Sequence, residues 1–408
     1  MAIPDPVSSE QSANDGPLAG LRVVEISVYV QGPVAGLTLA SQGADVVKIE
    51  RVGTGDQMRS LGGAFGVVLD ERGKAWLYAS LNRGKRSLAL DVASGSGVEV
   101  FRQLIEQADV FITNLRPDGL ERIGADYESL RAINPRLVYG LGAGFGLRGP
   151  LVDDPCQDTI GMAAAGFMDV CSPTEEPHYP PGAMSDVLTG TNLASAVLAG
   201  LVRRSVTGRG SLVGTSQVQS LLWLASSPIG IASSIGETMK RFSIQQPSNP
   251  FMAPHETADG WIAVAVINAE QWPALARAMD LGELLEDVRF DGFEHAVEKG
   301  DELLPILRER FRERTTDEWW RILRAAGVWA GPVNRVQDLA SDPNVLANEY
   351  LVTFPDGFVG PPAPYEVDGW RGARGLAAEY GEHTDEVLQE LGYEDEELVD
   401  LRIQRAIW

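Results

Sequence analysis

The chain has 408 residues, of which 44% are hydrophobic and 22% are charged, as is typical of a globular protein with a large core. Its formal net charge is −23. Such an acidic chain repels polyanions, which disfavours nucleic acid and anionic membrane surfaces as partners. The longest apolar runs are too short to span a bilayer. We therefore expect no nucleic-acid partner and no membrane association.

The start of the chain and its few cysteines narrow the class of protein further. Residues 1–17 have neither a cationic start nor an apolar stretch, so we predict a disordered leader rather than a signal peptide, and a cytoplasmic protein. Cys156 and Cys171 are too few for a disulfide framework and form no CxxC pair. The four histidines include no pair at i, i+4 spacing, so we predict no metal site.

Over the first 150 residues, short β-rich runs alternate with helical patterns. Strands are predicted at 21–26, 45–50, 87–91, 109–114 and 136–140, and helices at 33–42, 98–107 and 127–133. This alternation predicts a parallel α/β sheet with right-handed crossovers. Ligands of such sheets bind beyond the carboxyl ends of the strands. A long helix of small and apolar residues is then predicted at 190–204, where its terminal arginines suit the helix dipole.

The second half of the chain predicts a smaller unit and a returning tail. A strand leads into a helix at 211–224, and the Ser, Gly, Gln and Pro content of 227–249 indicates a connection between domains. A strand at 260–266 and helices at 269–279, 302–312 and 316–326 follow. We predict a Rossmann-like large domain over 18–210, a linker and small α+β domain over 211–335, and a segment over 336–408 that packs back on the large domain.

A glycine-rich segment follows the strand predicted at 136–140. Its glycines are Gly140, Gly142, Gly144, Gly146 and Gly149. The spacing is not GxGxxG and no helical pattern begins directly after it. We interpret this segment as a turn-rich loop rather than a phosphate cradle.

Asp186 stands in a Pro- and Gly-rich stretch just before the long predicted helix. From the pattern alone the favoured interpretation is an N-cap, because Asp accepts hydrogen bonds from the first amides of a helix. A carboxylate beside an apolar segment can also attack an activated acyl group. In that case Ser185 could provide the cap and leave Asp186 free.

Several ordered blocks of the chain resemble the class III coenzyme A transferases. This family includes formyl-CoA, carnitine and bile acid CoA transferases, and its fold is shared with the alpha-methylacyl-CoA racemases. The blocks that carry the resemblance are 18–25, Gln31-Gly32-Pro33, 43–51, 81–87, 108–110, 114–117, the Gly144–Pro150 loop and 381–388. They run in order from Pro17 to the C-terminus.

The resemblance implies a fold, an assembly and a reaction. The fold is a Rossmann-like large domain with a small domain, and the assembly is a homodimer of two interlocked rings. The enzyme would move CoA from an acyl-CoA to a carboxylic acid with Asp186 as the nucleophile, through a covalent aspartyl intermediate. Acyl-CoA and the organic acid are then substrates, and no tightly bound cofactor is expected.

The same resemblance assigns further residues to the site. Gln31 matches a glutamine beside the reacting thioester, and we expect it to help stabilise oxyanions. Arg51 matches a contact to the phosphate end of CoA, and Asn114 and Arg122 match positions around its adenine and phosphates. The full set expected to contact CoA is Val30, Gly32, Arg51, Leu90, Asn114, Leu115, Arg122, Gln157 and Asp158. For the arginines, a solvated surface charge is the alternative.

Two other functions fit the same blocks. A racemase needs two proton-transfer groups, which in the related enzymes are a histidine and the aspartate. The histidine position falls near Gln157, and an amide cannot exchange a proton at neutral pH. A non-catalytic CoA-binding protein is the second alternative, although Asp186 and Gln31 are both present.

Overall fold

The computed structural model describes residues 16–60, 75–237, 241, 243–245, 247, 249–373 and 375–408. Most of the predicted leader, residues 1–15, lies outside the described residues. The chain divides into two compact units. The first unit contains the described residues up to Phe167, together with Pro180–Ser226 and Ala340–Trp408. The second unit contains Met168–Tyr179 and Ser227–Leu339.

The first unit is built on a six-stranded sheet in which every paired strand is parallel. Its strands are β1 (Arg22–Ile26), β2 (Asp45–Glu50), β3 (Arg86–Ala89), β4 (Val110–Thr113), β5 (Val138–Ala143) and β6 (Ser211–Ser216). Their order is β3-β2-β1-β4-β5-β6. The parallel α/β sheet predicted from the sequence is confirmed. The order reverses between β1 and β4, which is the place where such sheets bind ligands.

The helices up to residue 235 are α1 (Gln31–Ser41), α2 (Trp76–Asn82), α3 (Gly95–Gln107), α4 (Pro117–Arg122), α5 (Tyr127–Ile133), α6 (Asp158–Ala164), α7 (Phe167–Val170), α8 (Met184–Thr207), α9 (Gln217–Leu224) and α10 (Ser226–Ile235). Local caps explain where several of them begin. Ser94 accepts a hydrogen bond from the Gly97 amide before α3, and Asp126 accepts one from the Ser129 amide before α5.

Helices cover both faces of the sheet, so its central strands bury apolar residues on both sides. In β1, Val23 packs with Leu39 of α1 and Leu193 of α8. The next residue, Val24, belongs to the opposite core, which includes Phe101 of α3. Helix α8 has 24 residues and is long and apolar enough to cross a membrane. Since its inner face is buried against the sheet, it is a core helix of this unit.

The sixth strand shifts the predicted domain boundary. Residues Ser211 to Ser216 pair with Val138 to Ala143, one residue after another, along the edge of the sheet. The structure therefore places 211–226 in the first unit and not in the predicted linker and small domain. The physical reason is that β6 completes the sheet beside β5, a pairing that the local composition of 211–224 does not reveal.

The C-terminal segment packs on the first unit. It contains α15 (Pro343–Ala347), β10 (Val352–Thr353), β11 (Val359–Gly360), α16 (Thr384–Glu390) and α17 (Asp395–Ile403). The Trp370 indole donates a hydrogen bond to the Ser41 carbonyl at 2.9 Å, and Leu388 and Leu401 enter the same core as Phe101. These contacts tie the last residues of the chain to its first strands.

The second unit has its own sheet and its own core. Strands β7 (Met252–Glu256), β8 (Trp261–Ala265) and β9 (Trp329–Pro332) form an antiparallel sheet. Its helices are α11 (Gln271–Ala278), α12 (Phe293–Glu298), α13 (Gly300–Phe311) and α14 (Thr316–Ala325), with a short 3-10 turn at Gly282–Glu286. A second 3-10 turn, Val336–Ser341, begins in this unit and ends in the first. Large aromatic side chains, including Trp272 and Trp319, fill the interior.

Candidate active site

A cleft of about 470 Å³ opens in the first unit at the carboxyl ends of β1, β4, β5 and β6. The residues that line it are Val28, Tyr29, Gln31, Asn114, Leu115, Arg116, Pro117, Leu141, Gly142, Ala143, Gly144, Gly146, Leu147, Val152, Asp154, Pro155, Cys156, Gln157, Ile160, Asp186 and Gln217. A larger groove of about 870 Å³ lies at the opposite, amino-terminal ends of β5 and β6. Only the smaller cleft contains Asp186, so we take it as the candidate active site.

Asp186 lies inside the first turn of α8 and not before it, because the helix begins six residues earlier than predicted. The amides of Ser185 and Asp186 donate to Oδ1 of Asp158, at 2.7 and 3.2 Å. Asp158 therefore caps α8 from another helix. The interpretation of Asp186 as an N-cap is wrong, and so is the alternative cap by Ser185, whose buried hydroxyl has no hydrogen-bond partner among the described residues.

The carboxylate of Asp186 is held by an amide and sits close to another acid. Nε2 of Gln217 donates a hydrogen bond to its Oδ1 at 2.5 Å. Burial and the nearby charge of Asp158 raise the pKa of Asp186 to about 7, and the hydrogen bond from Gln217 opposes that rise. A carboxylate with so high a pKa is poorly stabilised when ionised, which makes it a stronger base and nucleophile than an exposed one.

Gln31 starts α1 and is buried beside the same part of α8. Its Nε2 donates to the carbonyl of Ala143 at 2.9 Å, so one amide hydrogen is engaged and the other remains available. Gly190, one turn after Asp186, permits this approach. A Cβ added at Gly190 would lie 2.5 Å from the carbonyl oxygen of Gln31. This close packing brings Gln31 and Asp186 to the same cleft.

Three residues predicted to contact CoA line the cleft with Asp186 and Gln31, namely Asn114, Leu115 and Gln157. The side-chain amide of Asn114 bonds both backbone groups of Val28, at 2.8 and 3.0 Å. It thereby fixes the loop after β1 to the end of β4. Gln157 is the residue before α6, and its side chain caps nothing.

The other predicted contacts do not line this cleft. Leu90 is 1% exposed and belongs to the hydrophobic core, and Asp158 is occupied with the α8 amides. Arg51 is exposed after β2, and Arg122 is exposed and paired with Asp118 at 3.5 Å. Val30 and Gly32 flank Gln31, where Gly32 is buried within α1 and Val30 packs beside the cluster around Met58.

Sequence reasoning missed Gln217 and Cys156. The Cys156 sulfur lies 2.9 Å from Oε1 of Gln217, whose amide in turn bonds Asp186. A signal for Gln217 existed, because it directly follows the carboxyl end of a predicted strand, where ligands bind. Assigning that strand to the second domain hid it. Cys156 carries no comparable signal, because its hydrogen bond is to a side chain 61 residues further along the chain.

With this geometry in view, comparisons with known proteins identify the family. Residues 18–384 match the model of CoA-transferase family III, and the chain belongs to that family. It is therefore a transferase of the kind that acts on CoA thioesters. Among the described residues that line the cleft there is a carboxylate at the start of α8 but no histidine.

Individual relatives extend over nearly the whole chain. The chain is 30% identical to the human protein named succinyl-CoA:glutarate CoA-transferase, over 95% of this chain and 89% of that protein. It is 33% identical to succinate–glutarate CoA-transferase of Agrobacterium fabrum, over 92% of this chain and 96% of that protein. A CAIB/BAIF family protein from Brucella suis, known from its crystal structure, superimposes with a TM-score of 0.83 at 32% identity, covering 92% and 99% of the two chains.

Proposed function

We propose that this protein transfers CoA between carboxylic acids through a covalent aspartyl intermediate on Asp186. The observation that carries the proposal is the state of this carboxylate. It is partly buried in the cleft, its pKa is raised to about 7, and its hydrogen-bond donor is a neutral amide and not a cation. A buried carboxylate with a structural role would be paired with a cation. A nucleophilic carboxylate is more reactive when its negative charge is only weakly stabilised.

The first half of the reaction moves the acyl group and then CoA onto the protein. Oδ2 of Asp186 attacks the thioester carbonyl, the C–S bond breaks, CoA leaves as a thiolate, and a mixed anhydride forms. The thiolate then attacks Cγ of Asp186. The C–Oδ2 bond breaks, the donor acid leaves with that oxygen, and an aspartyl-CoA thioester remains.

The second half reverses these steps with the acceptor acid. An oxygen of the acceptor carboxylate attacks Cγ and expels CoA thiolate, which then attacks the acceptor carbonyl and regenerates the Asp186 carboxylate. Each attack places negative charge on a carbonyl oxygen, which preorganised donors must stabilise. The remaining amide hydrogen of Gln31 serves the substrate carbonyl in this scheme.

The relatives narrow the substrate class that we propose. Two are named for succinyl-CoA or succinate with glutarate, and a third, 30% identical, is named succinyl-CoA–L-malate CoA-transferase beta subunit. We therefore propose succinyl-CoA as donor and a short dicarboxylic acid as acceptor. Arg116 supports an anionic substrate, because it is the cation among the described lining residues and its contact to Asp118 is long, at 3.9 Å.

Intact-protein mass spectrometry tests the covalent intermediate. After incubation with succinyl-CoA and rapid quenching, wild-type protein should gain an adduct that peptide mapping places on Asp186. The Asp186→Ala variant should gain none. An adduct of equal yield on Asp186→Ala would overturn the assignment. Screening succinyl-CoA against glutarate, malate and monocarboxylic acids then tests the substrate class.

We further propose a homodimer, for which exposed apolar side chains provide the support. In α10 no residue is buried although Ile229 and Ile235 are apolar, and Trp223 of α9 is 79% exposed. On α8, Val202 and Val206 are 67% and 83% exposed. Monomers rarely expose so many large apolar residues without a partner. The interlocked arrangement implies a dimer that survives dilution and separates only on unfolding, which light scattering at nanomolar concentration would test.

A further inference from the structure

A line of three side chains leads from the thiol of Cys156 through the amide of Gln217 to the carboxylate of Asp186. The Cys156 sulfur lies 2.9 Å from Oε1 of Gln217, and Nε2 of Gln217 donates to Oδ1 of Asp186 at 2.5 Å. Gln217 is 3% exposed and is the first residue of α9, so the backbone at the end of β6 fixes its origin. These two contacts connect Cys156, the residue before Gln157, to Asp186, the proposed nucleophile.

The Gln217 side chain packs closely against the backbone of α6. Gly161 of α6 faces it, and a Cβ added there would lie 2.5 Å from Oε1 and 2.9 Å from Cβ of Gln217. A side chain at position 161 would therefore force the Gln217 side chain or the backbone of α6 to shift. The hydrogen bond between Gln217 and Asp186 is therefore held in place by the close packing of α6 and α9, and Gln217 is buried rather than a flexible surface residue.

The direction of the Gln217 amide follows from its two neighbours. An ionised carboxylate accepts hydrogen bonds, so the NH₂ group must face Asp186 and the carbonyl must face Cys156. Burial and the negative charges of Asp186 and Asp158 raise the pKa of Cys156 to about 11. The side chain is therefore a thiol at neutral pH, and its S–H donates to the carbonyl of the amide.

From this geometry we infer that Gln217 binds one oxygen of Asp186 throughout the reaction and stabilises the oxyanion that forms on it. The inference rests on the proposed covalent mechanism. With Oδ1 held by the amide, Oδ2 is the oxygen that attacks and that later leaves with the donor acid. Oδ1 then stays as the carbonyl oxygen of both the anhydride and the aspartyl-CoA thioester.

The hydrogen bond from Gln217 to Oδ1 also acts in the steps in which Cγ of Asp186 is attacked. When CoA thiolate or an acceptor carboxylate attacks Cγ, the electron pair of the carbonyl moves to Oδ1, against the Nε2 donor of Gln217. A donor already in place stabilises this charge without reorganisation. The thiol of Cys156 touches no reacting atom, so it is a positioning residue that keeps the amide in the required direction.

Kinetics of Gln217→Leu, with Gln219→Leu as control, give the first test. Gln219 lies in the same helix and is exposed, so the control makes the same change away from the cleft. We expect Gln217→Leu to lower kcat by about 10²–10³-fold with little change in KM, as for the loss of an oxyanion donor. The acidic limb of its pH profile should move to higher pH, since the lost hydrogen bond lowers the pKa of Asp186.

The isosteric variant Gln217→Glu provides a second test that does not depend on leucine being tolerated. It should also lose kcat and move the same limb to higher pH, because it adds a negative charge beside Asp186. Cys156→Ala should lower kcat a few-fold. Cys156→Ser keeps a hydrogen-bond donor and should restore kcat to near the wild-type value. Folded Gln217 variants with wild-type kcat and an unmoved pH profile would overturn the inference.

Oxygen labelling tests the inference in a way that a purely structural role would not affect. Wild-type protein turns over succinyl-CoA with excess ¹⁸O-labelled succinate, and the peptide that contains Asp186 is then weighed. We expect one label, because only Oδ2 exchanges, and two labels in Gln217→Leu after the same number of turnovers. Two labels in the wild type would overturn the role of Gln217, whereas no label would contradict the aspartyl mechanism itself.

Discussion

Two groups of buried carboxylates in the first unit differ in how their charge is balanced. The charge cluster consists of Glu25, Lys48, Glu50, Asp56, Arg59 and Lys85. Within it Lys85 pairs with Glu25 at 2.8 Å, and Arg59 pairs with Glu50 at 2.7 Å. At the cleft, by contrast, Asp186 lies near the buried carboxylate of Asp158 and accepts a hydrogen bond from the side-chain amide of Gln217. Asp158 in turn accepts hydrogen bonds from the backbone amides of Ser185 and Asp186.

The pKa values of Glu25 and Glu50 move in the opposite direction from that of Asp186. Burial raises the pKa of any carboxylate, but Lys85 and Lys48 bring that of Glu25 below its ordinary value. Arg59 lowers the pKa of Glu50 to about 2 against the same burial effect. For Asp186, burial and Asp158 act together and raise the pKa to about 7. Burial is common to both groups, so the presence or absence of a cation decides the difference.

The charge cluster supports the cleft without entering it. Nζ of Lys48 donates to the carbonyl of Ser27 at 2.8 Å, and Nζ of Lys85 donates to the carbonyl of Pro33. These bonds fix the backbone on both sides of Gln31. Neutralised charges thus hold the loop in place, while the uncompensated carboxylate remains available for chemistry.

Removing the uncompensated carboxylate should have the largest effect on activity. Asp186→Asn should lower the rate of CoA exchange by about 10³-fold or more, because an amide is a poor nucleophile. Its unfolding free energy should not fall. Folding raises the pKa of Asp186, so wild-type protein loses stability as the pH rises from about 4 to about 7, and the variant does not.

Denaturant unfolding of both proteins across this pH range measures the difference, with Asp186→Ala as a check on deamidation of the asparagine. A variant less stable than the wild type above pH 7 would show that Asp186 is compensated after all.

Breaking the charge cluster should mainly lower stability, in contrast to the loss of activity expected for Asp186→Asn. Glu25→Gln leaves Lys85 buried without its carboxylate and should lower the unfolding free energy by about 3–5 kcal/mol. The matched change Glu128→Gln removes an exposed pair with Arg131 and should cost less than about 1 kcal/mol. Equal losses in the two variants, measured by urea unfolding, would contradict the comparison.

The pH dependence of wild-type activity provides the third test. The nucleophile must be ionised, so kcat/KM for succinyl-CoA should rise with pH around a midpoint near 7, where the pKa of Asp186 lies. A rate that is constant from about pH 5 to about pH 8 would mean that Asp186 is ionised throughout, as an ordinary aspartate is.

Changing Asp158 should shift that midpoint. Asp158→Asn removes the neighbouring charge but keeps an oxygen to accept the α8 amides, so the pKa of Asp186 should fall and the acidic limb should move to lower pH. Asp158→Ala removes the cap as well and should lose about 1 kcal/mol of stability. If both variants kept the wild-type pH profile, Asp158 would act on α8 alone.

The smallest effects are expected at two exposed arginines. Arg116→Ala removes a cation from the cleft lining and should raise the KM for acyl-CoA several-fold at nearly constant kcat, the sign of lost uniform binding. Arg51→Ala should raise KM as well, by less, because Arg51 does not line this cleft. An unchanged KM in Arg51→Ala at moderate salt would make it a surface charge.

The first five strands of the sheet were predicted to within three residues at each end, because they are short runs rich in β-branched and other apolar residues that alternate with helical patterns. Helix α5 was predicted with its bounds because Asp126 caps it and its apolar residues recur at helical spacing. The start of α8 was predicted six residues late. Its cap comes from Asp158, 28 residues before Asp186, and no local pattern records a cap supplied by another helix.

The sequence by itself determined the parallel α/β sheet, the family and the place of Asp186 near the start of a helix, because periodicity and ordered motifs are local properties. Only the tertiary structure decided which groups surround that carboxylate. Gln217 and Cys156 reach it because β6 joins the sheet beside β5 and brings the start of α9 to the cleft. Burial, neighbouring charge and hydrogen-bond direction depend on distances through space, and these set the pKa of Asp186.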